Sequence, residues 1–310
     1  MSADAPVVTI AGATATGKSD LALNLAEHLG GEIINTDSMQ FYRGMDIGTA
    51  KLPVSQRRGV LHHLIDILDV REDANVQTFQ RQAREAIADI RSRGKRPILV
   101  GGSGLYVRAA TDRMEFPGTD PHVRARLESE VDADRWGRHR HLQELDPAAA
   151  AKITPNDSRR IVRALEVIEL TGRPFSAQLP DYQAIEPTIH LGLAVEREAL
   201  HKRIAARVGL MWEQGWVDEV RCLLERGLAE GRTASRAIGY AQIQQYLADE
   251  LDREAAQEQT TIRTRQFARR QDTWFRRDPR IVWIDSTAGD HEANTARALE
   301  AIRDGRLLES

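Results

Sequence analysis

The feature of the sequence that most constrains its fold is a glycine-rich segment near the start, Gly12-Ala13-Thr14-Ala15-Thr16-Gly17-Lys18-Ser19. The apolar run at 7–11 before it predicts a β-strand, and a stretch with helical apolar spacing, including Leu21 and Leu25, follows it. Strand, glycine loop and helix in this order form a P-loop, in which backbone N–H groups and the helix N-terminus point at a phosphate. The sequence therefore predicts a phosphate site.

The P-loop supplies both backbone and side-chain groups to this site. Lys18 adds a positive charge, and the Ser19 hydroxyl is placed to bind Mg²⁺ on the same phosphates. A glycine turn that served only as a helix entry would require neither residue. The motif leaves open which phosphate compound it holds and whether ATP ever occupies it. The predicted phosphate-binding residues are Gly12, Ala13, Thr14, Ala15, Thr16, Gly17, Lys18 and Ser19.

Composition restricts the class of protein further. The 310 residues are 41% hydrophobic and 29% charged with a net charge of −3, so any nucleic-acid surface must come from local clustering. Cys222 is the single cysteine, which excludes an internal disulfide and a cysteine-based zinc site. We expect it to be buried on an amphipathic helix. With no signal-like start and no apolar run of about 20 residues, we expect a cytoplasmic protein without a membrane segment, and a monomer.

Strand-like and helical segments alternate along most of the chain. This alternation predicts an α/β fold, with a parallel sheet flanked by helices on both faces. The predicted strands are 7–11, 32–35, 63–67, 97–100, 188–195 and 281–284, and the predicted helices follow the P-loop and cover 76–93, 198–213, 217–226, 241–247, 254–275 and 292–302. Residues 120–187 show helical spacing without a convincing strand. We therefore predict a helical insertion domain at 120–187 between two parts of the α/β core, 1–119 and 188–310.

Asp37 follows the second predicted strand. Residues just beyond the carboxyl ends of parallel strands face the ligand crevice of an α/β sheet, so we expect Asp37 opposite the P-loop. The competing interpretation is that Asp37 only caps a helix or turn.

Further motif-like segments follow the P-loop in a fixed order. They lie at 37–51 (beginning Asp37-Ser38-Met39-Gln40), 63–66, 101–106, 156–167, 237–240 and 264–275. Together with the P-loop they resemble the tRNA dimethylallyltransferase (tRNA isopentenyltransferase) family over nearly the whole chain. The departures are small: Ala13 stands where the family usually has proline, and Ser103 where threonine is common. With a single cysteine, we expect no zinc finger of the kind that eukaryotic relatives carry at the C-terminus.

The resemblance implies transfer of a dimethylallyl group from dimethylallyl diphosphate to the N6 amine of the adenosine beside the tRNA anticodon. Asp37 would be the general base, while Lys18 and Mg²⁺ at Ser19 would stabilise the departing diphosphate. The adenine would be flipped out of its stack to reach the donor. Residues 37–40 would then read its edge, with Ser103 and Tyr106 nearby.

Several residues are predicted to bind the anticodon stem-loop of the tRNA, mostly from the resemblance. Some of the arginines could instead form a solvated helix face. The segment 263–277 carries six arginines and one acid, with Trp274 and Phe275 among them. It could bind nucleic acid, or its aromatic residues could anchor the core. The predicted tRNA-binding residues are Asp37, Ser38, Met39, Gln40, Ser103, Arg124, Arg159, Arg160, Arg163, Arg236 and Tyr240.

Two other functions remain open at this point. A small-molecule or nucleotide kinase could use the same P-loop, but it would leave the helical insertion and the segment 156–167 unexplained. A non-catalytic RNA-binding switch could use the loop to sense a nucleotide.

Overall fold

The computed structural model describes residues 5–178 and 182–307. The chain forms two compact units. The first contains the residues up to Thr111 and from Ala184 onward, and the second is Asp112–Gln183. The predicted insertion, 120–187, starts and ends later in the chain than this second unit.

The first unit is built on a six-stranded sheet in the order β3-β2-β4-β1-β5-β6. All neighbouring strands are parallel. The predicted fold class is therefore confirmed. The strands are β1 Val7–Gly12, β2 Gly31–Asn35, β3 His62–His63, β4 Arg96–Val100, β5 Thr188–Ala194 and β6 Ile281–Asp285.

The central strand β1 explains where the site lies. Every residue of β1 is buried, as its unbroken apolar sequence predicts for a strand covered on both faces. β1 lies between β4 and β5. Strands β2, β3 and β4 lie on one side of it and β5 and β6 on the other, so the direction in which strands are added to the sheet reverses at β1. Their carboxyl ends meet at one edge of the sheet, which is where α/β proteins form a ligand crevice.

Helices cover both faces of the sheet. One hydrophobic cluster joins Leu21 and Leu25 to Ile10, Leu191 and Ile302. A second cluster joins the loop after β2 to the helices after β5 and includes Trp212 and Trp216. The helices of this unit are α1 Lys18–Leu29, α2 Val76–Ser92, α3 Gly104–Thr111, α8 Arg197–Glu213, α9 Trp216–Glu225, α10 Tyr240–Leu247, α11 Arg253–Phe275 and α12 His291–Leu307.

The second unit is helical throughout its described residues, apart from loops and one 3₁₀ turn. Its own core packs Leu127, Val131, Leu142, Ile161 and Leu165 together. Each helix begins at an aspartate whose side chain accepts hydrogen bonds from the first turn, as capping residues do. The helices are α4 Pro121–Ala133, α5 Arg135–Leu145, α6 Pro147–Ala150 and α7 Ser158–Thr171.

Two local predictions were wrong. The strand predicted at 63–67 ends at His63, because Leu64 and Asp66 both have φ of 58° and turn the chain out of the sheet. Cys222 is exposed rather than buried, because it lies on the outer face of α9. Within 5–178 and 182–307, no helix combines the length and apolar character needed to cross a bilayer.

Candidate active site

A crevice of about 530 Å³ opens at the carboxyl edge of the sheet in the first unit. The structure brings together eight predicted site residues in its walls: Thr14, Ala15, Thr16, Gly17, Lys18, Ser19, Asp37 and Gln40. It adds others that were not among the predicted site residues, including Asn35, Arg203, Arg207, Phe267, Gln271, Ser286 and His291. The predicted position of Asp37, on the same crevice as the P-loop, is therefore observed.

The P-loop backbone has the tight curvature that its glycines allow. Gly12 has φ of 142°, and an added Cβ there would lie 2.8 Å from the carbonyl oxygen of Leu193 on β5. Gly12 and Ala13 are buried beneath the crevice and do not line it. The Thr16 hydroxyl donates to the Ala13 carbonyl at 2.9 Å, and the Ser286 hydroxyl donates to the Thr16 carbonyl at 3.1 Å. The loop is thus held from β5 and from the segment after β6.

Lys18 and Arg207 supply positive charge to the crevice. The Lys18 ammonium donates to the Ala13 carbonyl at 2.6 Å. Burial and the neighbouring Arg207 guanidinium lower the pKa of Lys18 to about 7, although Asp37 opposes them. Burial also lowers the pKa of Arg207, again opposed by Asp37. Two desolvated basic side chains, Lys18 and Arg207, therefore line the crevice, and a bound anion would favour their charged forms.

Asp37 has two contacts that explain its position. Its carboxylate accepts a hydrogen bond from the Met39 N–H at 3.0 Å and so caps the 3₁₀ turn Ser38–Phe41. Its own N–H donates to the Asn35 side chain at 2.9 Å. Burial raises the pKa of Asp37, while the Met39 N–H and the charges of Lys18 and Arg207 oppose the rise. Asp37 thus caps the 3₁₀ turn and also lines the crevice.

Gln271 connects the P-loop to the loop after β4. Its side-chain oxygen accepts from the Thr14 N–H at 2.9 Å, and its side-chain nitrogen donates to the Gly102 carbonyl at 2.8 Å. An added Cβ on Gly102 would push this side-chain amide away, so glycine there leaves room for the Gln271 contacts. Gln271 lies in the motif-like segment 264–275 but was given no role, because its partners Thr14 and Gly102 are far away along the chain.

The other residues predicted around the adenine lie beside the crevice rather than in its wall. Ser38 is half-buried in the 3₁₀ turn, and Met39 packs against the second hydrophobic cluster. Ser103 is half-buried just before α3. Tyr106 packs on Phe79 with ring centroids 4.8 Å apart.

The structure corrects the prediction that Tyr240 contacts tRNA. Its side chain is fully buried, and its hydroxyl donates to Glu219 at 2.5 Å. Glu219 also accepts from the backbone N–H groups of Asp46, Ile47 and Gly48. Tyr240 therefore supports the loop after Gln40 from inside. Arg236, in contrast, is exposed at the end of a 3₁₀ turn.

The predicted arginines of the second unit fall into two groups. Arg124 and Arg163 both donate to the buried carboxylate of Glu166, at 2.7 Å each. Burial tends to raise the pKa of Glu166, but hydrogen bonds from Arg124, Thr119 and Arg163 outweigh it and hold the pKa at about 2. Arg159 and Arg160 are exposed on α7. Arg124 and Arg163 thus hold the buried Glu166 carboxylate, whereas Arg159 and Arg160 are accessible to RNA.

The parallel sheet, the P-loop between β1 and α1, and the acid and cations on one crevice define a P-loop α/β protein. The family profile described as IPP transferase matches residues 40–278, and that described as isopentenyl transferase matches 5–63. The chain belongs to the IPP transferase family, and the resemblance seen in the sequence is confirmed.

Named relatives and solved structures agree with this assignment. A tRNA dimethylallyltransferase of Nocardioides is 57% identical over 281 residues, which cover 90% of this chain and 91% of the relative. One from Streptomyces coelicolor is 54% identical, covering 96% and 95%. The crystal structure of a tRNA isopentenylpyrophosphate transferase from Bacillus halodurans has a TM-score of 0.72 at 38% identity, covering 98% and 99%. A eukaryotic dimethylallyltransferase acting on tRNA has a TM-score of 0.83 at 29% identity, covering 98% of this chain and 80% of that one.

Proposed function

We propose that this chain transfers a dimethylallyl group from dimethylallyl diphosphate to N6 of the adenosine adjacent to the anticodon in tRNA. The relatives named tRNA dimethylallyltransferase support the activity. The observation that carries the chemistry is the placement of Asp37, Lys18 and Arg207 on one crevice with the P-loop. The Asp37 carboxylate can accept a proton, and Lys18 and Arg207 on the same crevice can donate hydrogen bonds to a leaving diphosphate. Nothing in the comparisons favours a kinase or a non-catalytic switch.

Asp37 is the proposed general base. The N6 amine attacks the allylic carbon, the bond from that carbon to the diphosphate oxygen breaks, and the electron pair leaves on the diphosphate. The amine must lose a proton, which passes to the Asp37 carboxylate. Burial raises the pKa of Asp37, and a carboxylate with a raised pKa accepts a proton more readily near neutral pH.

The P-loop, Lys18 and Arg207 are the proposed binding site of the diphosphate. The crevice-lining P-loop and the N-terminus of α1 offer N–H donors to an anion, and the basic side chains of Lys18 and Arg207 line the same crevice. Their attraction grows as negative charge develops on the leaving group, so they lower the barrier as well as bind the donor.

Ser19 fits a magnesium site. Ser19 is exposed in the first turn of α1 and lines the crevice together with the P-loop residues 14–18. Mg²⁺ prefers oxygen ligands and commonly takes one or two from protein and the rest from phosphates and water. We propose that Ser19 and the diphosphate would hold Mg²⁺, which would supply further neutralisation of the leaving group.

The decisive variant is Asp37→Asn, which keeps the shape and removes the base. We expect tRNA binding to remain within about threefold and prenyl transfer to fall by about 10²-fold or more. Asp20→Asn is the matched control, because Asp20 lines the same crevice and loses the same charge. Equal losses in the two variants would show that crevice charge, and not proton transfer, is what Asp37 provides.

A further inference from the structure

Asn35 is the last residue of β2 and lies two residues before Asp37. Its side chain is only 2% exposed, although it contributes to the crevice wall. A buried side-chain amide needs hydrogen-bond partners inside the protein, because an unpaired one would destabilise the fold. The partners of Asn35 therefore indicate what this residue does.

The hydrogen bonds of the Asn35 amide go to backbone groups of Asp37 and Leu64. Its oxygen accepts from the Asp37 N–H at 2.9 Å, and its nitrogen donates to the Asp37 carbonyl at 3.0 Å and to the Leu64 carbonyl at 2.9 Å. The amide oxygen thus meets an N–H and the amide N–H groups meet two carbonyls, so the side chain matches its partners in this orientation only. Asn35 holds both the N–H and the carbonyl of the proposed general base.

The contact with Leu64 connects this arrangement to the neighbouring strand. β2 and β3 pair through Ile33 with His62 and through Ile34 with His63. Asn35 and Leu64 are next in this register, but Leu64 has φ of 58° and turns the chain out of the sheet. The Asn35 side chain bonds the Leu64 carbonyl at the point where the backbone ladder stops. The Asp37 backbone is thereby fastened to the ends of two strands.

These bonds fix the direction in which the Asp37 side chain leaves the backbone. The Asp37 carbonyl also accepts from the Gln40 N–H at 3.1 Å, and its carboxylate accepts from the Met39 N–H at 3.0 Å. Both peptide groups of Asp37 are therefore held, and the carboxylate has one further anchor. A general base must lie within hydrogen-bond reach of the proton it takes, and a displacement of about 1 Å can lower the rate about 10²-fold.

We infer that Asn35 is a positioning residue for prenyl transfer, because its side-chain amide fixes the Asp37 backbone and so aims the carboxylate at the N6 amine. This rests on the proposed function, since it takes Asp37 to be the base. An asparagine that only stabilised the fold would lower activity whether or not Asp37 could accept a proton. A positioning residue affects the rate only as long as the base it positions is present.

This difference is measured in two backgrounds, the wild type and Asp37→Asn. Asn35→Ala is introduced into each, and prenyl transfer is followed in single turnovers with saturating tRNA and dimethylallyl diphosphate. In the wild-type background we expect the rate to fall about 10-fold to 100-fold. In the Asp37→Asn background the further loss should be less than about twofold. The KM of the donor and the affinity for an anticodon stem-loop should stay within about threefold of the wild type.

Two other variants make the test specific. The hydroxyl in Asn35→Ser can accept from the N–H two residues on and donate to one carbonyl, so the rate should stay within about tenfold of the wild type. Asn24→Ala is the matched control. It removes a half-buried amide that donates to Thr295 and accepts from Arg58, at 2.9 Å each, and Asn24 does not line the crevice. Its rate should stay within about twofold of the wild type.

Thermal melting checks that each variant is folded, and if Asn35→Ala is not, the same comparison in two backgrounds is made with Asn35→Ser. The proposal is overturned if the substitution lowers the rate by the same factor in both backgrounds, or if it leaves the wild-type rate unchanged. It is also overturned if the main effect is on the KM of the donor or on stem-loop affinity, since Asn35 would then bind substrate directly. Failure of the proposed function would look different: the wild type would form no prenylated adenosine, or Asp37→Asn would keep its full rate.

Discussion

Tyr240 provides a direct test of the structure. The sequence predicts that Tyr240 binds tRNA, whereas the structure shows it buried, with its hydroxyl bonded to Glu219. In the structure, it donates to Glu219 at 2.5 Å, and Glu219 in turn accepts from three backbone N–H groups of the loop at 46–48. The Tyr240 ring packs edge-on to Trp216 with centroids 5.5 Å apart. The variant Tyr240→Phe removes one hydrogen bond and almost no volume.

A hydrogen bond to a charged acceptor contributes about 1.5–3 kcal/mol to stability. Since Glu219 keeps its three backbone donors, we expect the lower part of this range, a loss of about 1.5–2 kcal/mol. The measurement is urea unfolding followed by tryptophan fluorescence, with Trp216 as the adjacent probe. Tyr246→Phe is the control, because no protein partner of its hydroxyl is found in the described residues. That variant should change stability by less than about 0.5 kcal/mol.

The same variant decides whether Tyr240 touches RNA. Because the side chain is fully buried, tRNA affinity should stay within about twofold of the wild type when the protein is folded. Unchanged stability together with a clear loss of tRNA affinity would refute this account of Tyr240.

Two further predictions concern the crevice. Burial lowers the pKa of Lys18 to about 7 in the unliganded protein, so Lys18 is mostly neutral at pH 8.5, and a bound diphosphate must raise its pKa. Calorimetry at pH 8.5 in buffers of different ionisation enthalpy should therefore show uptake of close to one proton, and affinity should fall as pH rises above about 7. Lys18→Arg should show no such uptake, and a wild type without uptake would contradict the Lys18 pKa. Gln271→Leu leaves the Thr14 N–H and the Gly102 carbonyl without their partner, at a cost of about 2–4 kcal/mol, and should weaken binding of inorganic diphosphate. A stable variant with unchanged diphosphate affinity would show that Gln271 does not hold the P-loop.

The parts of the site that could be predicted from the sequence are those encoded locally. The P-loop lies between a fully apolar strand and an amphipathic helix, and Asp37 follows β2 by two residues, so sheet topology alone brings them to one edge. The strand predicted at 63–67 failed for a local reason as well. The segment is rich in apolar residues, but the left-handed backbone at Leu64 and Asp66 ends the pairing after two residues.

The parts that were missed depend on distant packing. Arg203 and Arg207 lie four residues apart on α8, so their spacing could have indicated a common face, but not that this face meets the crevice. Tyr240, which follows Gly239, was predicted to contact tRNA mostly from the family resemblance. Glycine is required there because the Trp216 ring leaves no space for a Cβ. That reason becomes visible only once α9 and α10 are packed together.

The central claim is that this chain prenylates an adenosine of tRNA with Asp37 as the base. The most direct measurement incubates the purified protein with unmodified tRNA, dimethylallyl diphosphate and Mg²⁺, and then examines the nucleoside digest by mass spectrometry. A parallel reaction contains ATP in place of the prenyl donor. We expect an adenosine that has gained one dimethylallyl group with the wild type, and a loss of about 10²-fold or more with Asp37→Asn. No prenylated adenosine with the wild type, together with steady consumption of ATP, would contradict the account.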